Sequence, residues 1–368
     1  MIMNYLFSWI FWDPTREAFT IPFFDRPVTY YGILFATGIA ICYLLLIYIF
    51  KHQIWRIGVV TQARIKNWPQ FLKELQDRES VLTFFPDDSH DTIQNHKGPV
   101  TEELKQQIID GLNKVITTYH FAVTREAGFK KLHDIFPKTF ATSHERALYL
   151  VDRLLWYAII GTLVGARLGH FLFYDLSHFL QNPSDIFWVW QGGMGSHGAV
   201  VGILLAIYVY YLRYRIYLPG NSFLDFLDLF VIPTPIAGAC IRLGNFMNQE
   251  VLGTPTEVPW AVIFAHPIDG RAVIPRHPVM LYEAIASLVI FAICFTLWKK
   301  RGTRLNTGFL SGLFFLLVFS SRFILEFFKV VQTNMVLIPG LRMGQVLSVP
   351  FIILGAYLIW HSYRNQDV

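Results

Sequence analysis

Apolar residues gather along this chain in long runs rather than in short alternations. Runs near the roughly 20 residues a helix needs to cross about 30 Å of hydrocarbon occur from Tyr31 to Phe50, Leu154 to Tyr174, Gly193 to Leu212, Phe223 to Phe246, Val279 to Trp298, Phe309 to Phe328 and Gly344 to Trp360. The last run is short, and the fourth is broken by Pro233 and Pro235. Prolines at membrane depth are tolerated where neighbouring helices or water satisfy the freed carbonyls, which points to a site rather than to lipid contact. The stretch from Met1 to Trp12 is too short to span and lacks a basic leader or a small-residue cleavage site, so it is expected to be interfacial rather than a signal peptide.

The pattern changes between the first two runs. From His52 to Ala147 the chain is dense in charge, and within it Leu104, Ile108, Leu112 and Val115 recur at helical spacing along Thr101 to Thr118. The pattern predicts an all-α polytopic membrane protein with seven transmembrane helices. Residues 1–51 hold the N-terminal segment and first helix, 52–147 a soluble, mostly helical insertion, and 148–368 the six remaining helices. No internal repeat of the transporter kind is visible.

Composition sharpens this. Only 15% of residues are charged and 54% are hydrophobic, against about 25% charged in soluble domains, which excludes disorder and a disulfide scaffold. Cys42, Cys240 and Cys294 all lie in apolar segments without a CxxC pair, as small core residues do. The net charge of +5 does not argue for nucleic acid, because the cations sit in loops: Arg213 and Arg215 follow the third run, and Lys299, Lys300, Arg301 and Arg304 the fifth, whereas Asp175 to Gln191 has none. The positive-inside rule then puts the N-terminus outside, and the insertion and C-terminus in the cytoplasm. Histidines 52, 90, 96, 120, 133 and 144 of the insertion show no ligand-like spacing, so no metal and no cofactor is expected.

Charged side chains at membrane depth cost at least about 2.5 to 3.5 kcal/mol and should face a cavity and a partner. The chain keeps Arg167, His197, Arg242, Asn245, Asn248, Glu250, Glu283, Arg322 and Glu326 in or beside its spans. One alone would read as a snorkelling or paired residue near a helix end; their recurrence argues for a polar site. Arg322 and Glu326 are i and i+4 on one helical face and are expected to pair. Around His197, Gly192, Gly193, Gly195 and Gly198 let backbone approach closely, for an anion at a helix N-terminus or for ordinary helix packing. The stretch Arg242 to Gly253 sets a guanidinium, two amides and a carboxylate within a dozen residues, and the next outer loop brings Arg276, His277, Tyr282 and Glu283. Arginine suits bidentate phosphate recognition, so the constellation reads as a lipid phosphate site.

Five ordered blocks carry a family resemblance. R-x-G-N-F-x-N-x-E-x-x-G (Arg242 to Gly253) resembles the signature of the prolipoprotein diacylglyceryl transferases. The Gly-rich turn at His197, R-H-P-x-x-L-Y-E from Arg276, R-F-x-x-E-F-F from Arg322 and M-G-Q-x-L-S-x-P from Met343 are similar to other blocks of that family, in the same order. The resemblance spans nearly all of the chain except the insertion. It implies a bacterial inner-membrane transferase that moves the diacylglyceryl group of phosphatidylglycerol to the lipobox cysteine of a prolipoprotein signal peptide, releasing glycerol phosphate. It further implies that Tyr31, His197, Arg242, Asn245, Glu250, Gly253, Arg322 and Glu326 are functional, with Asn248, Arg276 and Tyr282 joining them in substrate binding.

The chain departs from the family pattern in places. Ile241 stands where Gly precedes the signature Arg, Ala199 replaces a second Gly, and Val318 occupies a position usually held by Tyr, for which Tyr30 or Tyr282 could substitute. The insertion exceeds the family's usual short loop. Other classes fit less well: a transporter would show an inverted repeat, an intramembrane serine protease a G-x-S-G motif, and a seven-span receptor shares the topology alone.

Overall fold

The structure is a computed structural model that describes residues 9–22, 26–119, 125–173, 180–182, 184, 196–218, 220–302, 305–331 and 340–364. Among the described residues, seven helical spans are long and apolar enough to cross a membrane: Tyr30–Ile54, Ser143–Leu172, Gly198–Tyr217, Phe223–Asn248, Val279–Arg301, Phe309–Phe328 and Met343–Arg364. Each apolar run is therefore helical over its described residues, and Ile160, Leu163, Leu205, Ile285 and Ile353 on them remain exposed, as lipid-facing residues do. The chain divides into two compact units, Met1–Leu46 with Leu224–Val368, and Ile47–Phe223.

In the first unit, strand β1 (Ile10–Trp12) pairs in parallel with β4 (Val262–Phe264), which pairs antiparallel with β5 (Pro275–Arg276). The segment expected to be interfacial is thus partly a strand, recruited by a partner some 250 residues away; Met1 to Ser8 lie outside the described residues. A hairpin of β2 (Glu17–Ile21) and β3 (Arg26–Thr29) leads directly into α1 (Tyr30–Ile57), where Thr29 Oγ1 accepts from Gly32 N at 3.1 Å.

The broken span is two helices, α9 (Phe223–Val231) and α10 (Thr234–Asn248), with Pro235 in the first turn of α10, where a missing N–H costs nothing. Thr234 Oγ1 donates to Phe230 O at 2.9 Å and so satisfies one carbonyl at the end of α9, and Cys42 Sγ of α1 donates to Pro233 O at 3.1 Å. α1 lies close to α10: a Cβ on Gly38 would sit 2.8 Å from Cys240 Cβ, and one on Gly244 only 2.6 Å from the Tyr31 ring. The remaining helices are α11 (Val279–Arg301), α12 (Phe309–Leu325) and α13 (Met343–Arg364). Buried Asp228 caps α12 by accepting from Gly308 N at 2.8 Å, Ser311 N at 2.7 Å and Ser311 Oγ at 2.6 Å. A carboxylate there satisfies orphan donors and suits the positive end of the helix.

The second unit holds the insertion and two spans. Helices α2 (Trp68–Gln76), α3 (Glu79–Leu82), α4 (Asp87–Gln94), α5 (Glu102–Tyr119) and α6 (Arg125–Ile135) surround a core of Phe71, Leu75, Leu82, Ile93, Phe136 and Phe140. The periodic residues Leu104, Ile108, Leu112 and Val115 of α5 point into that core. The insertion is therefore a folded helical body with its own interior. α7 (Ser143–Phe173) and α8 (Ser196–Tyr214) cross at glycines: a Cβ on Gly202 would meet Gly165 Cα at 2.7 Å, and Gly198 abuts the Gly165 carbonyl. For Gly198 the packing role of the Gly-rich turn holds, while residues 192–195 lie outside the described residues.

Candidate functional site

The first unit gathers most of the predicted residues around the C-terminus of α10. Arg242 Nη1 donates to Asn245 Oδ1 at 3.1 Å, and Asn245 Nδ2 to Glu250 Oε1 at 2.7 Å. Asn248 Nδ2 reaches the same Glu250 oxygen at 3.3 Å. On its other side Arg242 Nε faces Glu283 Oε2 of α11 at 3.0 Å. The helix ends in a sharp turn, with Gln249 at φ 55° and Val251 at φ 60°. A β-branched residue in the left-handed region is an outlier, and such strain concentrates at functional sites. Here it folds Glu250 back over the last turn, its N–H bonding Asn245 O at 3.0 Å. Tyr31 packs on Gly244, close enough to feel the charges of Glu250 and Arg242.

One member of this network was not anticipated. Lys329, 3% exposed, places Nζ 2.6 Å from Glu283 Oε1 and 3.5 Å from Glu326 Oε2. It is held by strand-like pairing: Thr254 N bonds Phe328 O at 2.8 Å, and Val330 N bonds Leu252 O at 3.1 Å. Gly253 lets the paired segment lie against the start of α11, because a Cβ there would lie 2.8 Å from Val279 Cγ2 and collide with the His277 carbonyl. Gly344 serves similarly, a Cβ at that position falling 2.6 Å from the Glu326 carboxylate. Arg342 donates to the carbonyls of Glu326 and Lys329 and closes the turn. The only sequence signal for Lys329 was a lone cation in the apolar stretch after Glu326.

The expected Arg322–Glu326 pair is not formed. α12 ends at Leu325 and residues 326–328 form a tighter 3-10 turn, although Glu326 N still bonds Arg322 O, so it is the side chains that part. Glu326 turns to Lys329, and Arg322 stands exposed without a hydrogen-bond or ion-pair partner among the described residues.

The loop that leads into α11 acts as a frame. Arg276, 5% exposed, donates to Gly253 O at 3.3 Å and Ala272 O at 3.2 Å, so its guanidinium is committed to backbone. Tyr282 OH accepts from Trp260 Nε1 at 2.7 Å and lies 3.2 Å from His277 Nδ1. That hydroxyl is therefore already engaged, which weakens it as a substitute for the tyrosine absent at Val318. His197 is the second residue of α8, in the other unit, and its side chain lies outside the described residues. No cluster of three metal-ligating side chains occurs among the described residues.

Burial holds the His277 imidazole below its ordinary value of about 6.5. The neutral ring can accept the Tyr282 proton. Because the folded state disfavours the proton, stability is full above about 6.5 and falls as pH drops through the lowered value. Thermal unfolding in detergent from pH 7.5 to 5 is expected to show this loss, and His277→Gln to flatten that part of the profile; an unchanged slope in the variant would remove His277 as its source.

A family model described as prolipoprotein diacylglyceryl transferase matches residues 121–361. Curated relatives with the name phosphatidylglycerol--prolipoprotein diacylglyceryl transferase match as well, three of them as follows. That of Protochlamydia amoebophila is 38% identical across 100% of this chain and 99% of its own length. Those of Porphyromonas gingivalis and Tolumonas auensis are 41% and 44% identical over 58% and 59% of this chain, and 78% and 80% of their own. The insertion thus falls within the alignment to the Protochlamydia protein.

Proposed function

This chain belongs to the prolipoprotein diacylglyceryl transferase family, and from that premise we propose that it transfers the diacylglyceryl group of phosphatidylglycerol to the lipobox cysteine of a prolipoprotein. The observation that carries the reading is Arg242, fixed between Glu283 and the Asn245–Glu250 pair. A guanidinium so braced at a span end costs little further reorganisation when a phosphate arrives.

In the reaction the cysteine sulfur attacks the glycerol carbon of the diacylglyceryl group and the C–O bond to phosphate breaks. A thioether and glycerol phosphate result, and the thiol proton passes through a base to the leaving group. A thiol of ordinary pKa near 8.5 is only a few per cent ionised at neutral pH, so a base assists. His197 is that base. Arg242, joined by the exposed Arg322, stabilises the growing phosphate charge. Asn245, Asn248 and Glu250 position headgroup or peptide, Glu326 and Lys329 hold the Glu283 side of Arg242, and Tyr31 borders the site. Gly253, Arg276 and Tyr282 shape the loop over it. The enzyme sits in the bacterial inner membrane with its N-terminus outside, which puts this chemistry at the outer face and the insertion, 52–147, in the cytoplasm.

Phosphatidylglycerol labelled in its headgroup, incubated with a lipobox peptide and the purified protein, should release labelled glycerol phosphate. No release by folded protein would end the proposal. His197→Gln, which keeps a hydrogen bond without the proton chemistry, should lower turnover and remove the acid limb of its pH profile; unchanged rate and profile would leave His197 a structural part only. Replacing 52–147 with a short polar linker should leave transfer within a few-fold, and loss of transfer in a correctly inserted variant would tie the insertion to the site.

A further inference from the structure

We propose that Arg64 and Arg146 form a second, non-catalytic site, which binds the phosphate of an anionic membrane lipid at the face where the insertion emerges. The first span ends at Ile54, the second begins at Ser143 and the third ends at Tyr217. Ile54, Ile57, Thr61, Arg64, Arg146 and Tyr217 line one small cavity there. Neither arginine has an ion-pair partner among the described residues. Arg64, 3% exposed, donates to Ala141 O at 3.3 Å and Ser143 Oγ at 3.1 Å, and lies 3.8 Å above the Phe129 ring. Arg146 rests over the rings of Tyr149 and Tyr217 at 5.8 and 5.4 Å, and its buried Nε has no hydrogen-bond partner among the described residues. The neighbouring carboxylate, Glu145, is committed to Lys66 at 2.7 Å.

Two guanidiniums of like charge, one of them buried, are costly to leave without a counterion. Burial, and then the charge of Arg146, push Arg64 down to about 9, the mark of a place short of negative charge. Tyr149 and Tyr217, which Arg146 covers, pack with Tyr214, their ring centroids 5.7 to 6.2 Å apart, and such tyrosines gather at headgroup level. The free volume of about 10 Å³ admits roughly one water-sized group. One phosphoryl oxygen can enter while the rest of the phosphate stays among the headgroups. A soluble anion held by a single oxygen would bind poorly, whereas a lipid is kept at high local concentration by its own bilayer.

The test is native mass spectrometry of the full chain released from detergent, titrated with phosphatidylserine or phosphatidylcholine. Phosphatidylserine is not the donor of the proposed reaction, and no residue of the Arg242 network takes part, so the two readings fail separately. Wild type should retain phosphatidylserine roughly tenfold more tightly than phosphatidylcholine. Arg146→Gln should lose that preference and leave diacylglyceryl transfer unchanged. Because Arg64 also ties down Ala141 and Ser143, Arg64→Gln risks the fold, and Arg146→Gln carries the test with Arg146→Lys as the intermediate case. Equal retention of phosphatidylserine by wild type and Arg146→Gln would overturn the site. Displacement by millimolar inorganic phosphate would overturn the lipid assignment in favour of a soluble anion.

Discussion

Replacing Arg242 with Ala is expected to lower transfer by about 10²–10³-fold or more, the loss seen when one preorganised donor to a developing oxyanion is removed. The side chain does two things that one substitution removes together. It presents a guanidinium to the phosphate, and it pairs with Glu283 while donating to Asn245. Arg242→Lys separates them, since an ammonium can still neutralise Glu283 but cannot offer a planar fork to both an amide and a phosphate. Lys should therefore restore stability more than turnover. With headgroup-labelled phosphatidylglycerol as donor, kcat and kcat/KM should fall together if the contact strengthens in the transition state. Transfer by Arg242→Ala at the wild-type rate would remove Arg242 from the chemistry.

Lys329→Met is expected to cost about 3 to 5 kcal/mol of stability, the range for breaking a buried ion pair from one side. Around the site Arg242 pairs with the Glu283 carboxylate and reaches that of Glu250 through Asn245, and Lys329 pairs with those of Glu283 and Glu326. Lys329 alone bridges two of those carboxylates and is itself 3% exposed. Removing it leaves Glu283 and Glu326 close together with one counterion fewer. Unfolding in detergent should show the loss, and the double variant Lys329→Met with Glu326→Gln should recover part of it, because one orphaned charge has gone too. A loss under about 1 kcal/mol, the range of exposed pairs, would mean that water reaches the cluster and the pair is screened.

These two residues differ in how far they could be read beforehand. Arg242 lies in a dense local signature, where spacing alone puts Asn245 one turn away on the same helix face, and the structure makes that bond. Lys329 meets Glu283 across 46 positions of sequence, and no local rule chooses that partner. Glu326 shows the same limit from the other side. An i, i+4 rule nominated Arg322, and Glu326 N does bond Arg322 O, but backbone spacing does not decide which counterion a side chain takes. The side chain then went to the cation that the paired segment at Gly253 had placed beside it.

By itself the sequence determined the seven spans, the break at Pro233 and the buried face of α5. Each follows from apolar length, a missing N–H or a 3.6-residue period, properties local to the chain. Tertiary structure alone decided that Ile10–Trp12 is a strand, that Arg276 is committed to backbone, and that Glu283, Lys329 and Glu326 share one cluster. An unpaired strand edge, a guanidinium and a buried carboxylate each take whichever complementary group distant elements deliver, and that delivery depends on how the whole unit packs.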